Sequence, residues 1–288
     1  MVHGDVTGRP AWSDDPAGLR VRADEVLGLH EDGHLDQALE AAEQLEADAA
    51  VGDLSDEIVR ESLFAARFQR AMVLIEFGEL DRAAEAYGRA ATVPTDPDDP
   101  DQRHEVAMAL LNRGVCLDAI GDPHAALTTY DELIERFGVA DDPVTADQVV
   151  RARTNRAATL RVLGRPEDAI AAVRELAAEL DDAAPLDAEQ LVVGRRIHAA
   201  AAKDLGRLEE ALTAVEGLPG GGLDDPGVAF QRAAADHDRA ELLLDLGRPD
   251  DGRRVLDELS GSLDRADPEQ ADLAVEVEAT RRRLPAGG

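Results

Sequence analysis

The chain has 288 residues, 44% of them apolar and only 3% aromatic, so it can bury a sizeable core made of helix-forming alanine and leucine. Its net charge of −31 repels nucleic acid and anionic lipid on average, which argues against both as partners. Cys116 is the sole cysteine, so no intrachain disulfide can form, and no stretch approaches the roughly 20 apolar residues of a membrane-spanning helix. The opening MVHGDVTGRPAWSDDPAG lacks the basic and apolar regions of a secretory leader. A soluble cytoplasmic protein is expected.

Taken in chain order, residues 1–14 are expected to be disordered. The first helical segment then runs into HEDGH, residues 30–34, which matches the zinc-protease pattern H-E-x-x-H. That pattern requires both histidines on one continuous helix face. What surrounds Gly33 suggests another reading. EDGHLDQAL at Gly33 is followed by EFGELDRAA at Gly78, AIGDPHAAL at Gly121 and VLGRPEDAI at Gly164. DLGRLEEAL at Gly206 and DLGRPDDGR at Gly247 complete the set. Spacings of 45, 43, 43, 42 and 41 residues mark a repeat array.

Each copy obeys the same rules. Seven residues before the glycine stands a mostly small residue: Val26, Ala71, Gly114, Ala157, Ala199, Ala240. Four before it is leucine in five copies and Ala202 in the other. Five after it comes Ala38, Ala83, Ala126, Ala169, Ala211 and then Gly252, and nine after it Ala42, Tyr87, Tyr130, Val173, Val215 and Leu256. The apolar spacing of three and four paints a stripe along a helix, and the glycine closes it in a left-handed conformation. Pro123, Pro166 and Pro249 follow two residues later, where a helix start tolerates a missing N–H. Each repeat is therefore helix A, a tight turn and helix B. The segments 96–101, 141–145, 181–187 and 219–227 read as loops between helix B and the next helix A, with the glycine run 220–222 as a hinge. Residues 267–284 read as one more helix, the polar cap that the last repeat needs.

The small residue, turn glycine, alanine and aromatic, as in AMALLNRGVCLDAIGDPHAALTTYDELIERFG, make the chain resemble the tetratricopeptide repeat family over roughly residues 17–260. The period departs from the family's, which is about 34 residues. The resemblance implies an all-α fold: a right-handed α-solenoid of about six antiparallel helix pairs over residues 15–266, with a capping helix and tail over 267–288. It also implies a scaffold that binds a peptide or partner domain in a concave groove, not an enzyme.

The alignment puts His30 at the end of one helix and His34 at the start of the next. Gln37 and Glu40 also stand where a longer zinc-protease pattern wants glycine and histidine. Neither a metal nor a cofactor is expected, and zinc-dependent hydrolysis through HEDGH is the remote alternative. Cys116 reads as a buried structural residue. The acidic run 95–101 lacks the glycine and terminal glutamate of a calcium loop. The chain has no phosphate-binding loop and no nucleophile elbow.

One local anomaly is charge. RARTNRAATLRVLGR, residues 151–165, holds five arginines and no acid, and GRRIHAAAAKDLGR, residues 194–207, is again basic. The family's inner groove is lined by helix A positions 13, 10, 9, 6 and 3 residues before the glycine. Here these are Arg151, Thr154, Asn155, Ala158 and Arg161 in the fourth repeat, and Val193, Arg196, Ile197, Ala200 and Lys203 in the fifth. With Asn112 of the third repeat, the candidate groove residues are Asn112, Arg151, Thr154, Asn155, Arg161, Arg196 and Lys203. They resemble part of a carboxylate-clamp groove, which implies an acidic segment or a free C-terminus as ligand. The competing reading is internal charge pairing. Arg70, Arg113, Arg156 and Arg239 all stand eight residues before their glycine, as a structural charge would. A third reading is homo-oligomerisation through the apolar groove of Phe68, Met72 and Ile75 and the end helix.

Overall fold

A computed structural model describes residues 16–96, 98–138, 142–180, 185–218, 225–265 and 267–284. The expected disordered segment 1–14 and the glycine run 220–222 lie outside the described residues. Those described form thirteen α-helices and no strand. None of the helices is long and apolar enough to cross a membrane. The chain divides into two compact units, residues 1–152 and 153–288.

The first unit holds α1 (Pro16–Glu31), α2 (Leu35–Ala49), α3 (Glu57–Glu76), α4 (Leu80–Ala90), α5 (Pro100–Ala119), α6 (Pro123–Phe137) and the start of α7 (Pro143–Val162). From α1 to α6 each helix packs on the next, and α1 also packs on α3. The second unit holds the rest of α7, then α8 (Pro166–Ala177), α9 (Pro185–Asp204), α10 (Leu208–Glu216), α11 (Pro226–Asp245), α12 (Pro249–Ser262) and α13 (Pro268–Arg283). Here neighbours from α8 to α13 pack in sequence, and α11 also touches α9 and α13.

The six turn glycines share one conformation, with φ between 71 and 80°. Each glycine N–H donates to the carbonyl three residues back, and the next N–H to the carbonyl five residues back. At Gly33 these bonds are Gly33 to His30, 2.9 Å, and His34 to Leu29, 2.8 Å. The pair satisfies two carbonyls that the helix end leaves orphaned, and only glycine adopts the required φ without strain. The helix break expected inside HEDGH is therefore present: His30 lies in the last turn of α1 and His34 precedes α2.

The repeat positions form the core. Ala71, Ala157, Ala199 and Ala240, seven before the glycines, are at most 3% exposed, and the five alanines five after them are fully buried. Position nine after the glycine seats Tyr87 and Tyr130 in unit 1 and Val215 and Leu256 in unit 2, all buried. Cys116 is buried as well.

Helix A begins earlier than the sequence reading placed it. Pro100, Pro143, Pro185 and Pro226 open α5, α7, α9 and α11, so part of each supposed loop is the first turn of a helix. For α5, α7 and α11 the Asp-Pro pairs are the reason. Asp99 accepts from the N–H of Asp101, 2.9 Å, and of Gln102, 3.3 Å; Asp225 accepts from Val228, 3.1 Å; Asp142 accepts from Thr145, 2.7 Å. An aspartate cap followed by proline at the first helical position satisfies orphan donors and presets φ.

Glu105 of α5 carries a testable consequence of burial. Desolvation, with the charges of Glu61, Asp99 and Asp101, pushes its carboxyl up to about 7. The folded state then holds a proton that the unfolded chain releases, so stability is fully present at low pH and falls between about pH 4.5 and 7. Glu105→Gln is expected to melt higher than the parent at pH 8 and alike at pH 4, by circular dichroism. Equal melting at both pH values would contradict this assignment.

Candidate partner-binding cleft

In unit 2 the helix A positions converge on an open cleft of about 450 Å³. Ala158 and Arg161 of α7 form one wall, Asp238, Glu241 and Leu242 of α11 the other, and α9 supplies the floor with Val193, Arg196, Ile197, Ala200 and Lys203. Positions 13, 10, 9, 6 and 3 of the fifth repeat thus line one concavity. Arg161, Arg196 and Lys203, each expected in the groove, come together there.

Each of these cations meets an acid one repeat later. Arg161 Nε donates to Asp204, 2.7 Å; Lys203 pairs with Asp245, 2.7 Å; Arg196 donates to Asp238, 2.7 Å, and to Gln231, 3.0 Å. Glu241 accepts from Arg283 of α13, 2.8 Å. The partners lie 42 or 43 residues apart, the length of a repeat, so a ladder of ion pairs runs from α7 through α9 and α11 to α13. Asp204, Asp238 and Glu241 in the lining balance its three cations. The groove is therefore mixed in charge, not basic. The acids of the ladder escaped the sequence reading, but a cation recurring three residues before a glycine with an acid two before the next glycine would have found Asp204 and Asp245.

The cations are 31–44% exposed, so each pair contributes about 0–1 kcal/mol at most to stability. Their effect is positional. Among the described residues Arg161 donates only through Nε, and Arg196 leaves Nη2 unused, so both guanidinium groups are held but not saturated.

The remaining expected residues behave differently. Thr154 is only 1% exposed and cannot line an open groove. Position ten before the glycine is crowded in several repeats: Leu111 and His237 there are 8% and 9% exposed. Arg196 escapes because its side chain is long, whereas threonine stays beneath. Asn155 is half-buried and outside the cleft lining. Asn112 and Arg151 belong to unit 1, where both are half-buried.

Internal pairing accounts for other arginines. Arg70 of α3 reaches Glu43, 3.1 Å, and Glu46, 3.2 Å, on α2; Arg239 of α11 reaches Glu216, 3.3 Å, at the end of α10. The His198 hydrogen bond, aided by the charges of Arg174 and Arg207, holds the Glu210 carboxyl below the usual carboxylate range. No group of three histidine, cysteine or acidic side chains arranged to hold a metal occurs among the described residues.

Residues 108–138 match one tetratricopeptide-repeat family model, and residues 150–175 and 233–258 match another. No curated protein matches the sequence. Several solved structures share the fold at low identity. A protein of nearly identical TPR-like repeats from Podosopora anserina is 15% identical over 71% of this chain and 94% of that one, with a TM-score of 0.54. A tetratricopeptide repeat protein from Parabacteroides merdae is 13% identical over 92% and 86%, with a TM-score of 0.53. A Rap protein complexed with Competence and Sporulation Factor is 12% identical over 91% and 78%, with a TM-score of 0.52.

Proposed function

We propose that this chain, a tetratricopeptide-repeat protein, is a non-enzymatic scaffold that grips a segment of another protein in the cleft between α7, α9 and α11. The observation that carries this reading is the cleft itself: apolar Val193, Ile197 and Leu242 beside two guanidinium groups oriented by acids yet only partly engaged. The Rap protein that shares the fold binds Competence and Sporulation Factor, which is consistent with a ligand-gripping role.

The charge balance narrows the ligand. A run of acids would meet Asp204, Asp238 and Glu241 as well as the cations, and like charges in close quarters oppose binding. A single carboxylate next to an apolar side chain fits better, as at a free C-terminus ending in leucine, isoleucine or valine. The carboxylate takes the open edges of Arg161 and Arg196, and the apolar side chain packs on Ile197 and Leu242.

Fluorescence polarisation of the full chain with labelled peptide pools tests this. Pools ending in Leu, Ile or Val with a free carboxylate should bind, and their amidated counterparts about 10- to 100-fold more weakly, the worth of charge-assisted hydrogen bonds. Arg161→Gln with Arg196→Gln should weaken the free-carboxylate pool by a similar factor. Equal binding of amide and acid, or no effect of the double variant, would overturn the reading.

A further inference from the structure

We propose that Arg113, in unit 1, is a docking point for a carboxylate side chain of a partner protein. A pairing repeated along the helices has one exception, at Arg113. Eight residues before each turn glycine, helix A faces the position ten residues after the previous one, on the preceding helix B. At the α2–α3 junction this joins Arg70 to Glu43, 3.1 Å. At the α10–α11 junction it joins Arg239 to Glu216, 3.3 Å. At the α8–α9 junction the two positions hold Arg174 and His198, and Glu210 of α10 joins both, at 3.0 and 3.1 Å. Each of these three junctions contains a carboxylate.

The α4–α5 junction does not. Arg113 occupies the helix A position, and Gly88 stands where the acid belongs. A Cβ at Gly88 would lie 3.2 Å from Arg113 Nε and 3.4 Å from its Cδ and Cζ, so the arginine lies along the bare backbone of α4. Among the described residues Arg113 makes no ion pair or side-chain hydrogen bond. Glu85, one turn earlier on α4, makes no ion pair with it either. Glu46, the buried acid of this region, is already shared by Arg67, Arg70 and Arg89. Arg113 is half-buried, and a guanidinium remains charged throughout the physiological range. Glycine within a helix costs about 0.5–1 kcal/mol relative to alanine, so the bare position gives up helix stability and lets a permanent cation lie against the helix. Half-buried Arg151 and Arg195 also make no ion pair among the described residues, but of the three only Arg113 stands eight residues before a turn glycine, the position that meets a carboxylate at those three junctions. The other junctions identify its missing partner as a carboxylate, here supplied by another molecule.

The arginine Nε–Hε resonances of the full chain provide the test, with Arg113 assigned by its loss in Arg113→Gln. Sodium acetate, and separately inorganic phosphate, is titrated while sodium chloride holds the ionic strength constant. The Arg113 resonance should shift and saturate with acetate, while exposed Arg20 does not. Gly88→Asp, in which the chain supplies its own carboxylate, should abolish the acetate shift; Gly88→Ala should retain it. Thermal melts add an independent arm: Gly88→Asp should melt above Gly88→Asn, and the difference should vanish with Arg113→Gln. An Arg113 shift no larger than that of Arg20, an acetate response unchanged by Gly88→Asp, or a response to phosphate alone would overturn the assignment.

Discussion

Gly114→Val is expected to destabilise the protein by about 3 kcal/mol, the upper part of the range for overpacked cores. At Gly114 a bare Cβ would already sit 2.3 Å from Tyr130 Cε1 and 2.7 Å from Cζ. The ring cannot yield easily. Tyr130 is fully buried, and its hydroxyl donates to Asp118 at 3.0 Å, which fixes the ring at both ends. Loss of about 3 kcal/mol corresponds to a fall in melting temperature of roughly 6–12 °C for a chain of this order of size. Gly114→Ala should cost less and be largely rescued by Tyr130→Leu, which removes the ring that the methyl strikes. A Gly114→Val protein that melts within a degree of the parent would contradict the packing described.

Glu46→Ala should cost a similar amount for a different reason. Glu46 is 9% exposed and accepts from Arg67 at 3.1 Å, Arg70 at 3.2 Å and Arg89 at 3.4 Å. Removing the acid leaves Arg67, whose side chain is 17% exposed, without an ion-pair partner, and Arg70, 16% exposed, with Glu43 alone. Breaking a buried ion pair from one side typically costs about 3–5 kcal/mol. Urea denaturation measures the loss, and Glu46→Gln, which keeps an acceptor but no charge, should fall between Ala and the parent. A loss under about 1 kcal/mol would place the cluster with ordinary surface pairs.

What the sequence made legible follows from how narrowly physics constrains each position. The turn glycines were readable because a positive φ admits few other residues. The positions seven before and five after them were readable because close helix approach demands a small side chain. From that numbering the cleft positions Arg161, Val193, Arg196, Ile197, Ala200 and Lys203 could be counted off before any coordinates. The same numbering misplaced Thr154, because it identifies the face of a helix but not how far a side chain reaches from it. The first turns of α5, α7 and α11 read as loops because their Asp-Pro starts resemble turns as much as caps. The acids of the ladder were missed because each lies a full repeat from its cation, a distance that no local motif spans. Gly88 gave no local signal either; it acquires meaning only when Glu43 and Glu216 are known to occupy the same position elsewhere.

The most direct test of a scaffold that grips its partner through the α7–α9–α11 cleft is amide and methyl chemical-shift mapping of the full chain with the best free-carboxylate peptide. The largest shifts should fall on Val193, Ile197, Ala200 and Leu242, with the side-chain resonances of Arg161 and Arg196. Shifts confined to α8, α10 and α12, with the cleft residues unmoved, would contradict it.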